Sequence, residues 1–115
     1  MRERRPKNPF ARVNGVADPA NPKDLEKKHV PVITAPREVR AGECFEVTVE
    51  VGKLLAHPNG KEHYIQFIEL YAGEVCLTRL DLVAEMTCPV LKTCLALPSE
   101  TRALVAYERC NLHGV

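Results

Sequence analysis

A chain of 115 residues is the size of one domain, with room for a single hydrophobic core. Apolar residues make up 45% and charged residues 27%, an ordinary globular balance, and a formal charge of +1 gives no reason to expect nucleic acid, an anionic membrane surface or an acidic polymer as partner. No apolar run approaches the ~18 residues that span a bilayer, and the charged N-terminus has no apolar stretch behind it, so no membrane segment or secretory signal is expected and the cytoplasm is the default compartment.

Residues 1–24 read as an irregular basic arm. Arg2, Arg4, Arg5, Lys7 and Arg12 are mixed with Pro6, Pro9, Pro19 and Pro22, and no helix or strand period survives. Such an arm is either a solvated tail or a segment that packs on a neighbouring subunit or an anionic partner. Residues 25–115 form the domain, and from His29 onward the pattern is one strand after another. His29–Thr34 is rich in valine and isoleucine, with Pro31 marking it as an edge or irregular strand. Cys44–Val51 alternates Phe45, Val47, Val49 and Val51 with Glu46, Thr48 and Glu50. Tyr64–Tyr71 and Val75–Ala84 are split by Ala72-Gly73-Glu74, a hairpin signal. Lys92–Leu97 and Arg102–Arg109 flank Pro98-Ser99-Glu100-Thr101, which reads as a second hairpin. No long segment has a helical period. The fold expected is all-β, a sandwich of about seven strands.

The cysteines argue for a reducing compartment. Cys44, Cys76, Cys88, Cys94 and Cys110 are odd in number and form no C-x-x-C pair, so mostly free thiols are expected, although Cys88 and Cys94 could pair across a loop. Cys44, Cys76, Cys88 and Cys94 lie in or beside strands, where free cysteine behaves as a small buried hydrophobe.

The chemistry lies with the histidines. A lone histidine is usually a surface or satisfied core residue, but His57 and His63 bracket a loop that Pro58, Asn59 and Gly60 can turn, so the two rings can converge. His63 opens the strand that continues with Ile65 and Phe67. Cys110-Asn111-Leu112-His113 places a thiol and an imidazole three residues apart just past a strand end. Thiolate and imidazole together suit a late first-row metal. Structural zinc is normally closed with four ligands and favours paired cysteines. Four imidazoles and one thiolate exceed what tetrahedral zinc wants, whereas five ligands with a sixth position open suit iron.

Three blocks carry a family resemblance: Lys28-His29-Val30-Pro31-Val32-Ile33, the His57–His63 loop, and Cys110-Asn111-Leu112-His113-Gly114. In order and internal spacing they resemble the superoxide reductases, also called neelaredoxins and desulfoferrodoxins, over residues 26–115. The resemblance implies an immunoglobulin-like β-sandwich holding one iron through equatorial His29, His57, His63 and His113 and axial Cys110. It implies one-electron reduction of superoxide to hydrogen peroxide, with an outside donor such as rubredoxin and a homodimeric or homotetrameric assembly. Residues 1–28 contain no cysteine, so the single-iron type is expected rather than the type with a second, four-cysteine iron. Lys28 matches the family lysine that attracts superoxide. One departure stands out: the family's glutamate two residues before the first histidine is replaced by Lys27, with Glu26 one residue further back. If that segment is extended, Glu26 points to the other face, and Lys27 reads as a solvated charge. Glu62, beside His63, reads as a supporting carboxylate rather than a ligand. The rival readings are an immunoglobulin-like binding module with a structural metal and a small iron electron carrier.

Overall fold

Short runs of valine, isoleucine and threonine make strands that cannot bury a core singly, and here they pair into two sheets. The computed structural model describes residues 15, 17, 18 and 20–115, so most of the basic arm lies outside the described residues. In chain order the elements are α1 (Asp24–His29), β1 (Pro31–Thr34), β2 (Phe45–Val51), β3 (Ile65–Ala72), β4 (Val75–Asp81), β5 (Val90–Leu95) and β6 (Leu104–Cys110). The first sheet has the order β1-β2-β5 and the second β4-β3-β6, with every pairing antiparallel. Thus the all-β sandwich expected from the alternation is present, with six strands among the described residues instead of about seven.

The inward faces share one core. Val47, Val49 and Val51 of β2 and Leu91 and Leu95 of β5 meet Ile65, Ile68 and Leu70 of β3 and Cys110 of β6, all buried. Each fully buried aliphatic side chain of this kind contributes roughly 1.5–3 kcal/mol by leaving water. Pro31, without an N–H, opens the edge strand β1, as its chemistry requires.

Four readings of the sequence need correcting. Residues 24–29 are helical rather than irregular or extended: six residues are too few to show a period, and the helix is instead signalled by Glu26, whose Oε1 accepts the Lys23 N–H at 2.7 Å. His29 therefore ends a helix, and β1 starts at Pro31. The segment around Pro98–Thr101 is not a hairpin, because β5 pairs with β2 and β6 with β3, so it crosses between sheets. Its turn is real, with the Thr101 N–H donating to the Pro98 carbonyl at 3.1 Å, but the flanking strands do not pair. By contrast the β3–β4 hairpin forms as expected, Ala72 opposite Val75. Cys44, Cys76, Cys88 and Cys94 are exposed, not buried, since outward positions of the strands or their flanks carry them. Cys88 and Cys94 are separated within the chain by β5, whose extended steps from Val90 to Cys94 alone span roughly 13 Å.

β6 also carries a group that opposes folding. Leu104, Ala106, Glu108 and Cys110 alternate toward the interior, and Glu108 is 5% exposed with Oε2 lacking a hydrogen-bond partner. Burial raises its pKa to about 8, so the folded protein keeps this carboxyl neutral at pH 7. The unfolded chain releases that proton near pH 4.5, so stability is lost as pH rises from about 4.5 to about 8. Glu108→Gln should therefore be more stable than the parent by a margin that widens across this interval, read as urea midpoints at successive pH values. A constant or shrinking margin would mean the carboxyl is ionised in the fold.

Candidate metal centre

All the histidines and the buried cysteine gather at one end of the sandwich. β1 is antiparallel to β2, so the start of β1 lies beside the end of β2, Pro31 opposite Val51. Likewise the start of β3 lies beside the end of β6, Ile65 opposite Cys110. His29 precedes β1, His57 follows β2, His63 precedes β3, and Cys110 ends β6 with His113 just beyond. Four strand ends thus deliver the donors to one place.

Local chemistry fixes each donor. The His29 ring donates from Nδ1 to the Leu25 carbonyl at 2.7 Å, one turn back along α1. Gly52 sits at φ +85°, and a Cβ there would lie 2.9 Å from the His57 backbone nitrogen, so the close return of the loop onto the end of β2 requires glycine. The His57 ring donates from Nδ1 to the Pro58 carbonyl at 2.6 Å. Gly60 and His63 exchange backbone hydrogen bonds of 3.0 and 3.1 Å, closing the loop that the sequence reading expected to bring His57 and His63 together. The Asn59 side chain ties this loop to the turn before β5, donating to the Thr87 carbonyl at 3.1 Å and accepting from the Glu85 N–H at 3.0 Å. The sequence reading used Asn59 only as a turn former; its second function leaves no signal, because the partners are 26 and 28 residues away.

The four rings stand in a square. Ring centroids are 4.7 Å apart for His29–His57, 4.6 Å for His57–His63, 5.2 Å for His63–His113 and 4.8 Å for His113–His29. The His29–His63 diagonal is 6.5 Å, and neighbouring rings are turned 63° to 77° from each other. Donor atoms of His29, His57, His63 and Cys110 all lie within 4.8 Å of one another. His113 joins them through Nδ1, 3.2 Å from His29 Nε2 and 3.5 Å from Cys110 Sγ. Four of the five sequence-expected donors thus form one mutually close group, and His113 lies at its edge beside His29 and Cys110.

These donors fit a metal ion. With Nδ1 engaged as a donor, both His29 and His57 present a bare Nε2 lone pair, and the two Nε2 atoms face each other at 3.1 Å. Two acceptors at that distance repel unless a proton or cation lies between them. His63 Nε2 is buried and has no hydrogen-bond partner. Cys110 is 0% exposed and closes the cluster from the core side, whereas His113 is exposed and the other three rings are half-buried.

The electrostatics disfavour a proton on His57 and His63. Burial chiefly lowers His57 to about 4; the hydrogen bond to the Pro58 carbonyl, next in size, opposes this, and the charges of His29, His63 and His113 add to the lowering. His63 is also lowered, first by burial, then by the charges of His113, His29 and Lys28. Lys28 is thus close enough to the cluster for its charge to be felt there. Lys27 instead lies 4.0 Å from Asp24 on its own helix, which agrees with a solvated charge. Glu26 has both carboxylate oxygens engaged, accepting from the Lys23 N–H at 2.7 Å and the Ala17 N–H at 3.1 Å, and these bonds lower its pKa. The Glu62 side chain is exposed, and only its carbonyl takes part, accepting from Asn111 at 2.8 Å.

Comparison with known proteins completes the description. The desulfoferrodoxin family model matches residues 21–115. A superoxide reductase of Pyrococcus horikoshii is 53% identical over 102 residues, covering 77% of this chain and 82% of that one. The structure of a superoxide reductase (neelaredoxin) from Ignicoccus hospitalis superposes with a TM-score of 0.76 at 33% identity, covering 93% of this chain and 91% of that one. The reduced superoxide reductase (neelaredoxin) of Archaeoglobus fulgidus gives a TM-score of 0.58 at 31% identity over 76% of this chain and 83% of that one.

The lowered His57 makes the stability of the metal-free protein fall with acid. Above about pH 6.5 the ring is neutral folded and unfolded; between 6.5 and about 4 only the unfolded chain takes up the proton, so stability falls as pH falls, and below about 4 this loss stops. His57→Gln should flatten the dependence of the apoprotein's urea midpoint on pH in that window by up to about one proton. An identical slope in parent and variant would show that His57 titrates normally.

Proposed function

Because this chain belongs to the desulfoferrodoxin family, we infer that it is a superoxide reductase, reducing superoxide by one electron, with two protons, to hydrogen peroxide. The single observation that carries this reading is the square of four imidazoles with a buried thiol on its core side. His29, His57 and His63 would bind one iron ion through Nε2, His113 through Nδ1 and Cys110 through Sγ. Iron held there supplies the one-electron couple, and a thiolate donor pushes electron density onto it.

The chain's own residues account for the remaining requirements. His57 and His63, whose pKa values are lowered, need not lose protons at pH 7 before binding a cation. Since Cys110 comes from the core, the opposite face of the square is the one turned toward solvent, where a small anion can approach. Five donors around a square leave a sixth direction free, which a closed tetrahedral structural site would not, and an electron carrier would have no need of it. Lys28 places a positive charge beside that centre and raises the local concentration of an anion. Reduction without release of dioxygen requires electrons from another protein. A rubredoxin-like carrier is the donor class that the family resemblance suggests.

The decisive experiment is spectroscopic. The oxidised, iron-loaded protein should show a thiolate-to-iron charge-transfer band in the visible that bleaches on reduction, and Cys110→Ser should lose that band and most of the superoxide-reducing rate. A band that persists in Cys110→Ser would remove Cys110 from the ligand set, and a colourless iron-loaded parent would defeat the reading as a whole.

Lys28 is tested by rate. Lys28→Ala should slow the second-order reaction with superoxide by roughly two- to ten-fold at low salt and make it less sensitive to ionic strength, since the Debye length is only about 10 Å at 0.1 M. Pulse radiolysis at several salt concentrations measures both quantities. An unchanged rate and salt dependence would return Lys28 to an ordinary surface charge.

A further inference from the structure

We propose that Asn111 is a positioning residue that sets His63 relative to Cys110, and that the affinity and spectrum of the metal centre depend on it. This rests on reading His63 and Cys110 as ligands of one metal ion.

Asn111 lies in a rigid turn. Cys110 and Gly114 donate their N–H groups to each other's carbonyls, both at 2.9 Å. Gly114 closes the turn at φ +78°, a left-handed conformation that favours glycine. From that turn Asn111 grips the chain on both sides of His63. Its Oδ1 accepts the Tyr64 N–H at 2.9 Å, its Nδ2 donates to the Glu62 carbonyl at 2.8 Å, and its own backbone N–H donates to the Tyr64 carbonyl at 3.2 Å. The residues before and after His63 are thus held by one side chain that sits next to Cys110 in sequence.

These side-chain bonds add to the backbone links at this end. The Gly60–His63 bridge fixes His63 within its own loop, not against β6. The β3–β6 ladder brings Ile65 opposite Cys110 but shifts register just beyond that pair, so the side chain of Asn111 supplements an irregular ladder in placing His63. The geometry also explains the residue type. Only a side chain with a donor and an acceptor at the same short reach can satisfy both the Tyr64 N–H and the Glu62 carbonyl. Aspartate would keep the first bond and set an oxygen against the carbonyl; alanine would lose both. An error of less than an ångström at one corner of a ligand square is enough to weaken a metal site, and supporting partners of ligands commonly account for ten- to hundred-fold in affinity.

The test uses the full-length protein with Co(II), whose thiolate charge-transfer and ligand-field bands report coordination without any turnover. Parent, Asn111→Ala and Asn111→Asp are titrated with Co(II) against a competing chelator, and the melting temperature of each metal-free protein is recorded. The expected result is a loss of Co(II) affinity of roughly ten- to hundred-fold in both variants, accompanied by a shift of the bands. If Asn111→Ala fails to fold, Asn111→Asp, which keeps the bond to Tyr64, decides alone. Unchanged affinity and bands would overturn the proposal, as would lower affinity with unmoved bands, since Asn111 would then serve the fold and not the ligand geometry. A parent protein without a thiolate–Co(II) band would instead overturn the metal-centre reading, and this proposal with it.

Discussion

Two imidazole nitrogens face each other at 3.1 Å with their other nitrogens already engaged as donors, and this is the constraint around which the protein is arranged. In a flexible chain such lone pairs would turn apart or take up a proton between them. Here neither escape is easy. The Leu25 and Pro58 carbonyls hold the rings in orientation, and partial burial with two further imidazoles nearby opposes a proton. The folded protein therefore carries unfavourable electrostatics that a cation at the centre of the square would relieve.

That tension has to be held by something rigid, and the sandwich supplies it. β1, β2, β3 and β6 end at the same pole, and all but the short edge strand β1 send side chains into the fully buried core. The loops that extend beyond the strands are each tied down by polar side chains or close backbone approaches: Gly52 under His57, Asn59 to the 83–87 turn, and Asn111 across to the His63 segment. Glu108 shows how much the core can tolerate. A neutral, unpartnered carboxyl sits two residues from Cys110 on the same inward row, a cost that the surrounding aliphatic burial must offset.

The fold class was legible because strand alternation is a local signal: Val47, Val49 and Val51 declare an inward face with no knowledge of the partner strand. Which strands would pair was less legible. Turn chemistry at Pro98–Thr101 is real, yet it joins strands of different sheets, and nothing local distinguishes a hairpin from a crossover. That His57, His63, Cys110 and His113 would gather was expected from residue type and spacing, and that His29 would join them from the family resemblance. Their square arrangement was expected only through that resemblance, because it depends on long-range placement: His29 and His113, neighbours in the square, are 84 residues apart in sequence. The cysteines show the opposite failure. Cys44, Cys76, Cys88 and Cys94 were read as buried from their average behaviour, whereas their positions within or beside each strand turn them outward.

The departure at Lys27 lies within helix α1 and not in an extended segment. In an extended segment Glu26 and Lys27 would simply point to opposite faces, and Glu26 would miss the metal by parity. In the helix that argument fails, since Glu26 is three residues before His29 and lies toward the same side. What keeps Glu26 occupied is hydrogen bonding. One oxygen caps the first turn at Lys23 and the other holds the Ala17 N–H, so moving the carboxylate toward the imidazoles would free two backbone donors and loosen the turn that carries His29. Lys27, paired along the helix with Asp24, does not compete for the same space, and Lys28 is left as the cation whose charge reaches His63. A carboxylate at position 26 instead of 27 is thus taken up by the first turn of the six-residue helix that presents His29.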